Sequence, residues 1–443
     1  MYPLVTLLLF FAQSDPRAAE SALPLSLKRA VEIALAPEGS PRVALAQESI
    51  KQAEEQKAES RAALLPDLES SISEQRETVN LRAFGFNFNF PPSIPFSIPT
   101  IVGPFSVFDA RATASQTVLD FASIRRYQAS KVNVESVKSD FDTTKNQVSD
   151  QVARAYLATL RADAALETAH ANVDLSQALL DLARRQKDAG TGTGIEVTRA
   201  EVQLANDKQH LVVAINDRRR AGLTLMRTMG LKLDSTIELT DKLSYKPADV
   251  GDLENALADA RKMRSELKTQ KDREVSARFN YRAVRSERLP SVAASANYGT
   301  IGGELVGAQP TYDYGVSVRV PIFDGGRRDA RREESLSQFR QEQTRTRDLE
   351  QQVELDVRLA FDSVHSAATE VETAEDGVRL ADQELAQAQR RYSAGVANSI
   401  EVTDAQNRLT RARDNQIAAL YDYNVARIDL ATATGRIREY VNQ

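Results

Sequence analysis

The chain has 443 residues, enough for two or three ordinary domains or for one large repetitive architecture. Its mean hydropathy of −0.40, its 27% of charged residues and the lack of any internal apolar run of about 18 residues exclude a membrane protein built from spanning helices. A net charge of −5 and a pI near 5.6 argue against nucleic acid as a partner, and the absence of cysteine removes disulfides, thiolate metal sites, a cysteine nucleophile and a lipidated N-terminal cysteine.

In chain order, "MYPLVTLLLFFAQSDPRAAES" has an apolar core from Leu4 to Phe11 and then small and polar residues. A signal peptide is expected over residues 1–20, with the mature chain starting between Gln13 and Ser21, although no basic residue precedes the apolar core. Leu25–Ala36 reads as a short amphipathic helix and Pro41–Leu65 as a longer one, ended by Leu-Pro. Strands are expected near 67–78 and 105–119, separated by the loop "RAFGFNFNFPPSIPFSIPTIVGPF", with alternating Phe84, Phe86, Phe88 and Phe90. That loop suits an aromatic girdle with an external flap, or a purely structural flap. Phe121 to Ala189 contains neither glycine nor proline. A helix of that length would measure about 100 Å. A turn at 189–195 leads to a second long helix, and 231–250 reads as an irregular connector with one or two small strands.

The pattern then starts again. Short and medium helices are expected at Asp252–Lys262 and Arg264–Leu289, strands near 290–300 and 311–323, and a long helix over Arg327–Ala394, interrupted only by Gly377. A turn at 394–400 and another long helix follow, with 436–443 left as a tail. The echo is visible residue by residue. "DAGTGTGIEVTRAEVQL" (Asp188–Leu204) matches "SAGVANSIEVTDAQNRL" (Ser393–Leu409) at an offset of 205, which also pairs Asp217 with Asp422, Leu225 with Leu430 and Gly230 with Gly435. "TVLDFASIRR" (Thr117–Arg126) matches "PIFDGGRRDA" (Pro321–Ala330) with the offset slipped by one. "LLPDLESSIS" (Leu64–Ser73) matches "RLPSVAASAN" (Arg288–Asn297). The chain therefore reads as two fused copies, 21–230 and 251–435, of one mainly α unit with a small antiparallel β part. Apolar residues recur at helical spacing in both, as Val148, Val152, Ala155, Tyr156 and Leu160 and as Val353, Val357, Ala360, Phe361 and Val364. One helical hairpin cannot bury both flanks, so such rods need partners.

The strands carry the compartment. In "YDYGVSVRVPIFD", Tyr312, Tyr314, Val316, Val318, Val320 and Ile322 share one face, and Asp313, Gly315, Ser317 and Arg319 the other. Val292, Ala294, Ala296 and Tyr298 alternate with polar residues in the same way, as do Phe108, Ala110, Ala112 and Ala114. The strand from Asp67 is weaker. An ordinary half-buried sheet gives the same alternation, but strands of this length also fit a barrel wall with lipid outside and water inside. Four strands cannot close a barrel, whereas three copies supply twelve.

The element order, the duplicated "AG…IEVT" turns, "VPIFDGGRR" (Val320–Arg328) and the Leu-Pro before a strand resemble TolC-type outer-membrane efflux proteins, from about Leu25 to Gly435. The resemblance implies a homotrimer, with a twelve-stranded barrel in outer-membrane lipid continued by a long periplasmic α-helical barrel, and residues 231–250 as an equatorial connector. It implies a channel for efflux or type I secretion that does no chemistry and uses no cofactor. Its partners would be a periplasmic membrane-fusion adaptor and, through it or at the tip, an inner-membrane pump.

The two turns would then be periplasmic tips, with Gly190, Thr191, Gly192, Gly395 and Val396 as adaptor docking points. Glu401 and Asp404, one helical turn apart, match positions facing the closed pore end, where three chains would form rings of carboxylates that attract cations. A solvated helix start is the plainer reading of the same residues. Glu196 is the first copy's counterpart, with Arg199 where the second has Asp404. Tyr392 matches a position that ties the tips by reaching an acid such as Glu196, while Ala397 stands where a basic partner is sometimes found. Arg125, Arg126, Arg327, Arg328, Arg331 and Arg332 suit either a basic collar at the membrane interface or inter-chain pairs with Glu333 and Glu334.

Other classes fare worse. "GTGTG" lacks the Lys-Ser/Thr of a phosphate-binding loop, and His170, His210 and His365 share no metal-ligand spacing. A secreted coiled-coil scaffold leaves the strands unexplained. A periplasmic adaptor would carry one hairpin per chain and no duplication.

Overall fold

The structure is a computed structural model that describes residues 23–86, 98–247 and 251–442. The expected leader, Phe88 and Phe90 lie outside the described residues. Its elements are β1 (Leu23–Leu25), α1 (Leu27–Leu35), α2 (Pro41–Ala62), β2 (Asp67–Asn80), β3 (Ile101–Leu119), α3 (Phe121–Asp188), α4 (Gly194–Met229) and β4 (Ile237–Leu239). The second run comprises α5 (Leu253–Met263), α6 (Ser265–Ser286), β5 (Ser291–Gly302), β6 (Gln309–Arg319), α7 (Arg327–Ser393), α8 (Ser399–Ala433) and α9 (Ile437–Val441). Two helices, two strands and two long helices thus occur in the same order twice.

The start of each long helix explains a shared sequence motif. Asp120 accepts the Ala122 amide at 3.0 Å and the Ser123 hydroxyl at 2.6 Å, while Asp324 accepts the Arg328 amide at 3.2 Å. Both aspartates quench free N–H groups of a first helical turn. The strands β2 and β5 begin directly after Pro66 and Pro290, whose rings forbid helix in the preceding residue.

One compact unit comprises the described parts of Glu48–Asp140 and Glu266–Leu349. It holds a four-stranded antiparallel sheet in the order β2-β3-β5-β6. The register segregates the side chains. Leu68, Ala114, Ala296 and Tyr314 stand in one row, and Ser70, Ala112, Tyr298 and Tyr312 in the next. The opposite face carries Glu69, Thr113, Asn297 and Asp313 in a row, with Arg111 paired to Asp109 and Asn297 bonded to Asp313. The apolar face is uncovered: Tyr312, Tyr314, Val316 and Val318 are 69%, 80%, 71% and 64% exposed. From Pro310 to Val318 it rises about 27 Å, close to the apolar band of a membrane barrel. On β2 the apolar face ends at Ile72, since Glu74 and Arg76 follow on it.

Strand β6 is shorter than its alternation. It ends at Arg319, so Val320 and Ile322 leave the ladder, because Pro321 has no N–H to donate. The arginines next to the strands are paired within the chain. Arg126 and Arg331 share Glu287, Arg328 reaches Asp324 at 3.2 Å, and Arg332 reaches Glu333 at 2.7 Å. Glu333 is therefore engaged by its own chain.

The other unit comprises the described parts of Met1–Gln47, Phe141–Ser265 and Glu350–Gln443. Its core joins Ala30, Val31 and Ala34 of α1, Val148, Val152 and Tyr156 of α3, Leu225 and Met229 of α4, and Ile428 of α8. The expected C-terminal tail is not loose: Ile437 and Val441 of α9 are buried in this core. Among the described connector residues the small strand is β4, which pairs in parallel with β1, a strand not foreseen because it is three residues long. One polar joint closes the region. The Tyr156 hydroxyl lies 2.7 Å from Asp241 Oδ2 and 2.9 Å from the Leu25 carbonyl, and the same carboxylate accepts the Leu27 amide at 2.9 Å. Burial, followed by the Asp241 carboxylate, pushes the phenol far above its ordinary range, so it stays neutral and able to donate.

Replacing Tyr156 by Phe should cost about 1–2 kcal/mol by taking a buried hydrogen bond from Asp241. A thermal transition of the purified protein that does not fall would show that this joint contributes nothing.

Candidate functional site at the helical tips

Both tips are built on the same backbone. In the first, the amide of Gly190 reaches the Lys187 carbonyl and that of Thr191 the Gln186 carbonyl, each at 2.9 Å. In the second, Gly395 reaches Tyr392 at 3.0 Å and Val396 reaches Arg391 at 3.1 Å. Gly190 and Gly395 have φ of 77° and 73°, the left-handed conformation that lets this pair of bonds close a helix and that favours glycine. The expected docking residues lie at these turns. Gly190, Thr191 and Gly395 are exposed, Gly192 is half-exposed, and Val396 shows 67% of its surface.

The caps of the returning helices differ, and this decides what the acidic residues do. In the first tip Thr193 precedes α4, and the Glu196 carboxylate accepts both the Thr193 amide at 2.9 Å and its hydroxyl at 3.2 Å. In the second tip Asn398 caps α8 with its own side chain, accepting the amides of Ile400 at 3.1 Å and Glu401 at 3.2 Å. Glu401 is therefore released from capping and meets Arg391 at 2.9 Å. The basic partner absent at Ala397 is supplied from α7. Asp404 is exposed on the same side of α8 as Glu401.

Tyr392 does not make the expected tie. It is 6% exposed, packed with Ala388, Val402 and Ala405, and its phenol oxygen has no hydrogen-bond partner among the described residues. Burial first and the Glu196 charge second push the phenol up, so Glu196 is a neighbour and not an acceptor. Glu196, Arg199 and Tyr392 nevertheless line one cavity with Ser176, Gln203, Ser399 and Gln406. Arg391 and the buried residues Ser176, Asp207 and Gln406 are not among the expected site residues. The repeat offset holds a signal: Ser176 and Asp207 correspond to Ala381 and Ala412 in the second half of the chain.

Among the described residues no cluster of metal-ligating side chains occurs, and no helix is long and apolar enough to cross a membrane. The profile of the family "Outer membrane efflux protein" matches residues 33–231 and 256–436. The chain belongs to this family. It is 27% identical over 263 residues to the outer membrane efflux protein BepC of Brucella suis, a match spanning 58% of this chain and 56% of that protein. It is 25% identical over 419 residues to the pyoverdine export outer membrane protein OpmQ of Pseudomonas putida, covering 91% of this chain and 84% of the relative. The fold matches the Campylobacter jejuni CmeC outer membrane channel with a TM-score of 0.80 at 16% identity, over 93% of this chain and 85% of the channel. The family is one of transport proteins, which sets aside the adaptor and scaffold readings.

Asn398→Ala should loosen the second tip by about 1 kcal/mol, because both α8 amides lose their acceptor. Amide exchange at Ile400 and Glu401 should accelerate, and unaltered exchange would show that the cap does not hold the turn.

Proposed function

We propose that three copies of this chain form an outer-membrane channel for efflux or type I secretion, with a twelve-stranded barrel in lipid and helical hairpins lining a periplasmic conduit. The observation that carries this reading is the amphipathic sheet. A face as apolar as that of Tyr312, Tyr314, Val316 and Val318 is not stable in water at 64–80% exposure, and lipid outside a barrel relieves it. Among the described residues the outer strands β2 and β6 each leave one edge unpaired, and such edges are not tolerated in lipid unless neighbouring copies pair with them. The hairpins support assembly independently. Val202, Val212 and Val213 of α4 and Leu359 of α7 are 57%, 66%, 51% and 58% exposed, which suits contacts with further copies.

In this arrangement six tips surround one aperture, and the exposed turns at Gly190, Thr191, Gly192, Gly395 and Val396 receive a periplasmic membrane-fusion adaptor, through which an inner-membrane pump acts. Glu401 and Asp404 supply carboxylates to the aperture, with Glu196 and Tyr392 behind them. Arg391 holds Glu401 in position and offsets part of its charge, which leaves Asp404 as the stronger cation attractor.

Replacing Glu401 and Asp404 with Ala should raise single-channel conductance in planar bilayers and weaken block by divalent cations. Conductance and block identical to those of the parent protein would place the aperture elsewhere.

A further inference from the structure

Ser176 on α3 and Asp207 on α4 mark a buried divergence between the two hairpins. Their counterparts, Ala381 and Ala412, pack in an apolar layer with Leu385 and Leu409. Ser176 and Asp207 are just as enclosed, at 1% and 6% exposure, between the core of Leu180, Val197 and Leu204 and the second hairpin. The second hairpin sends one side chain to them. Gln406 of α8, 1% exposed, places its amide nitrogen 2.6 Å from Ser176 Oγ and 3.4 Å from Asp207 Oδ2. The Asp207 carboxylate also accepts the Ser176 hydroxyl, and Gln203 Nε2 reaches its two oxygens at 3.3 and 3.2 Å.

Stability does not account for this arrangement. Burying a carboxylate is unfavourable, and the donors that reach Asp207 belong to the uncharged side chains of Ser176, Gln203 and Gln406. Gln406 Oε1 has no hydrogen-bond partner among the described residues, which is a further cost. Leucine and alanine, as used by the second copy, would fill such a layer without either cost. What polar contacts add is direction. Apolar ridges of neighbouring helices tolerate sliding and rotation, whereas a carboxylate surrounded by donors accepts one register and one rotation.

We infer that Gln406, held by Ser176 and Asp207, is a positioning residue that fixes α8 against the first hairpin of the same chain and thereby sets where Glu401 and Asp404 point. Glu401 lies five residues before Gln406 on the same helix, about 7.5 Å along the axis, so a rotation at Gln406 passes directly to it. The inference rests on the aperture reading above. Within each chain the two hairpins then move as one body near the tips. Pulling them apart there would strip a donor from a buried charge.

The test compares Gln406→Leu with the triple variant Ser176→Ala, Asp207→Ala, Gln406→Leu, which installs the alanines of the second copy, in the full-length assembled protein. Gln406→Leu should speed amide exchange in α8 around Val402–Leu409 about tenfold or more and raise single-channel conductance. The triple variant, packed dry, should recover exchange protection while its conductance stays raised or splits into several levels, because nothing now fixes the register. Recovery of the parental conductance by the triple variant would reduce the cluster to a packing role and overturn the inference. So would unchanged exchange in Gln406→Leu. A parent protein that carries no current would instead overturn the channel reading, and the exchange comparison would still decide whether Gln406 holds the hairpins.

Discussion

The rest of this structure depends on one constraint: a sheet with a largely apolar, exposed face and two open edges cannot remain alone in water. Each of the exposed side chains Tyr314, Val316 and Val318 forgoes about 1.5–3 kcal/mol that burial would give. The unpaired N–H and C=O groups of β2 and β6 point outward at the same time. On the proposed reading, lipid would relieve the first problem and make the second intolerable, and barrel closure between copies would answer both together. The polar face, with Asp109–Arg111 and Asn297–Asp313 already paired, is then suited to a wet interior.

The tip recurs with one backbone geometry in both halves of the chain, and the side chains around it differ. The left-handed glycine and its two hydrogen bonds are a backbone solution that both copies keep. Side-chain chemistry around it has separated. A threonine cap draws Glu196 into the turn, whereas an asparagine cap leaves Glu401 for Arg391. The buried Asp207 and Ser176 take this separation into the hairpin interior, where the second copy has only alanine. Two tips with the same backbone thus differ in charge placement.

Much of this was legible in the residues. The helices α3 and α7 match the glycine- and proline-poor runs to within a residue, since without breakers nothing stops a helix whose apolar residues recur at three and four. The strand faces followed from period-two alternation, except where Pro321 ends the ladder before Ile322. The limits of the reading are equally physical. Strand β1 is too short to show a period, and α9 is held by tertiary burial of Ile437 and Val441 and not by its own pattern. Ion pairs such as Arg391–Glu401 depend on side chains brought together by the turn, which sequence spacing alone does not rank. Tyr392 lies near Glu196 but does not make the expected bond to it, since the Thr193 cap engages the Glu196 carboxylate.

Closure between copies is the central claim, and the natural absence of cysteine permits a direct measurement of it. One cysteine placed on the outer edge of β2 and a second scanned along β6 join opposite edges of the same sheet, so a disulfide between them must cross from one chain to the next. The account predicts covalent dimers and trimers at one register in native membranes, with trimer as the largest product. Chains that stay uncrosslinked at every register, or that form open ladders beyond three, would contradict it.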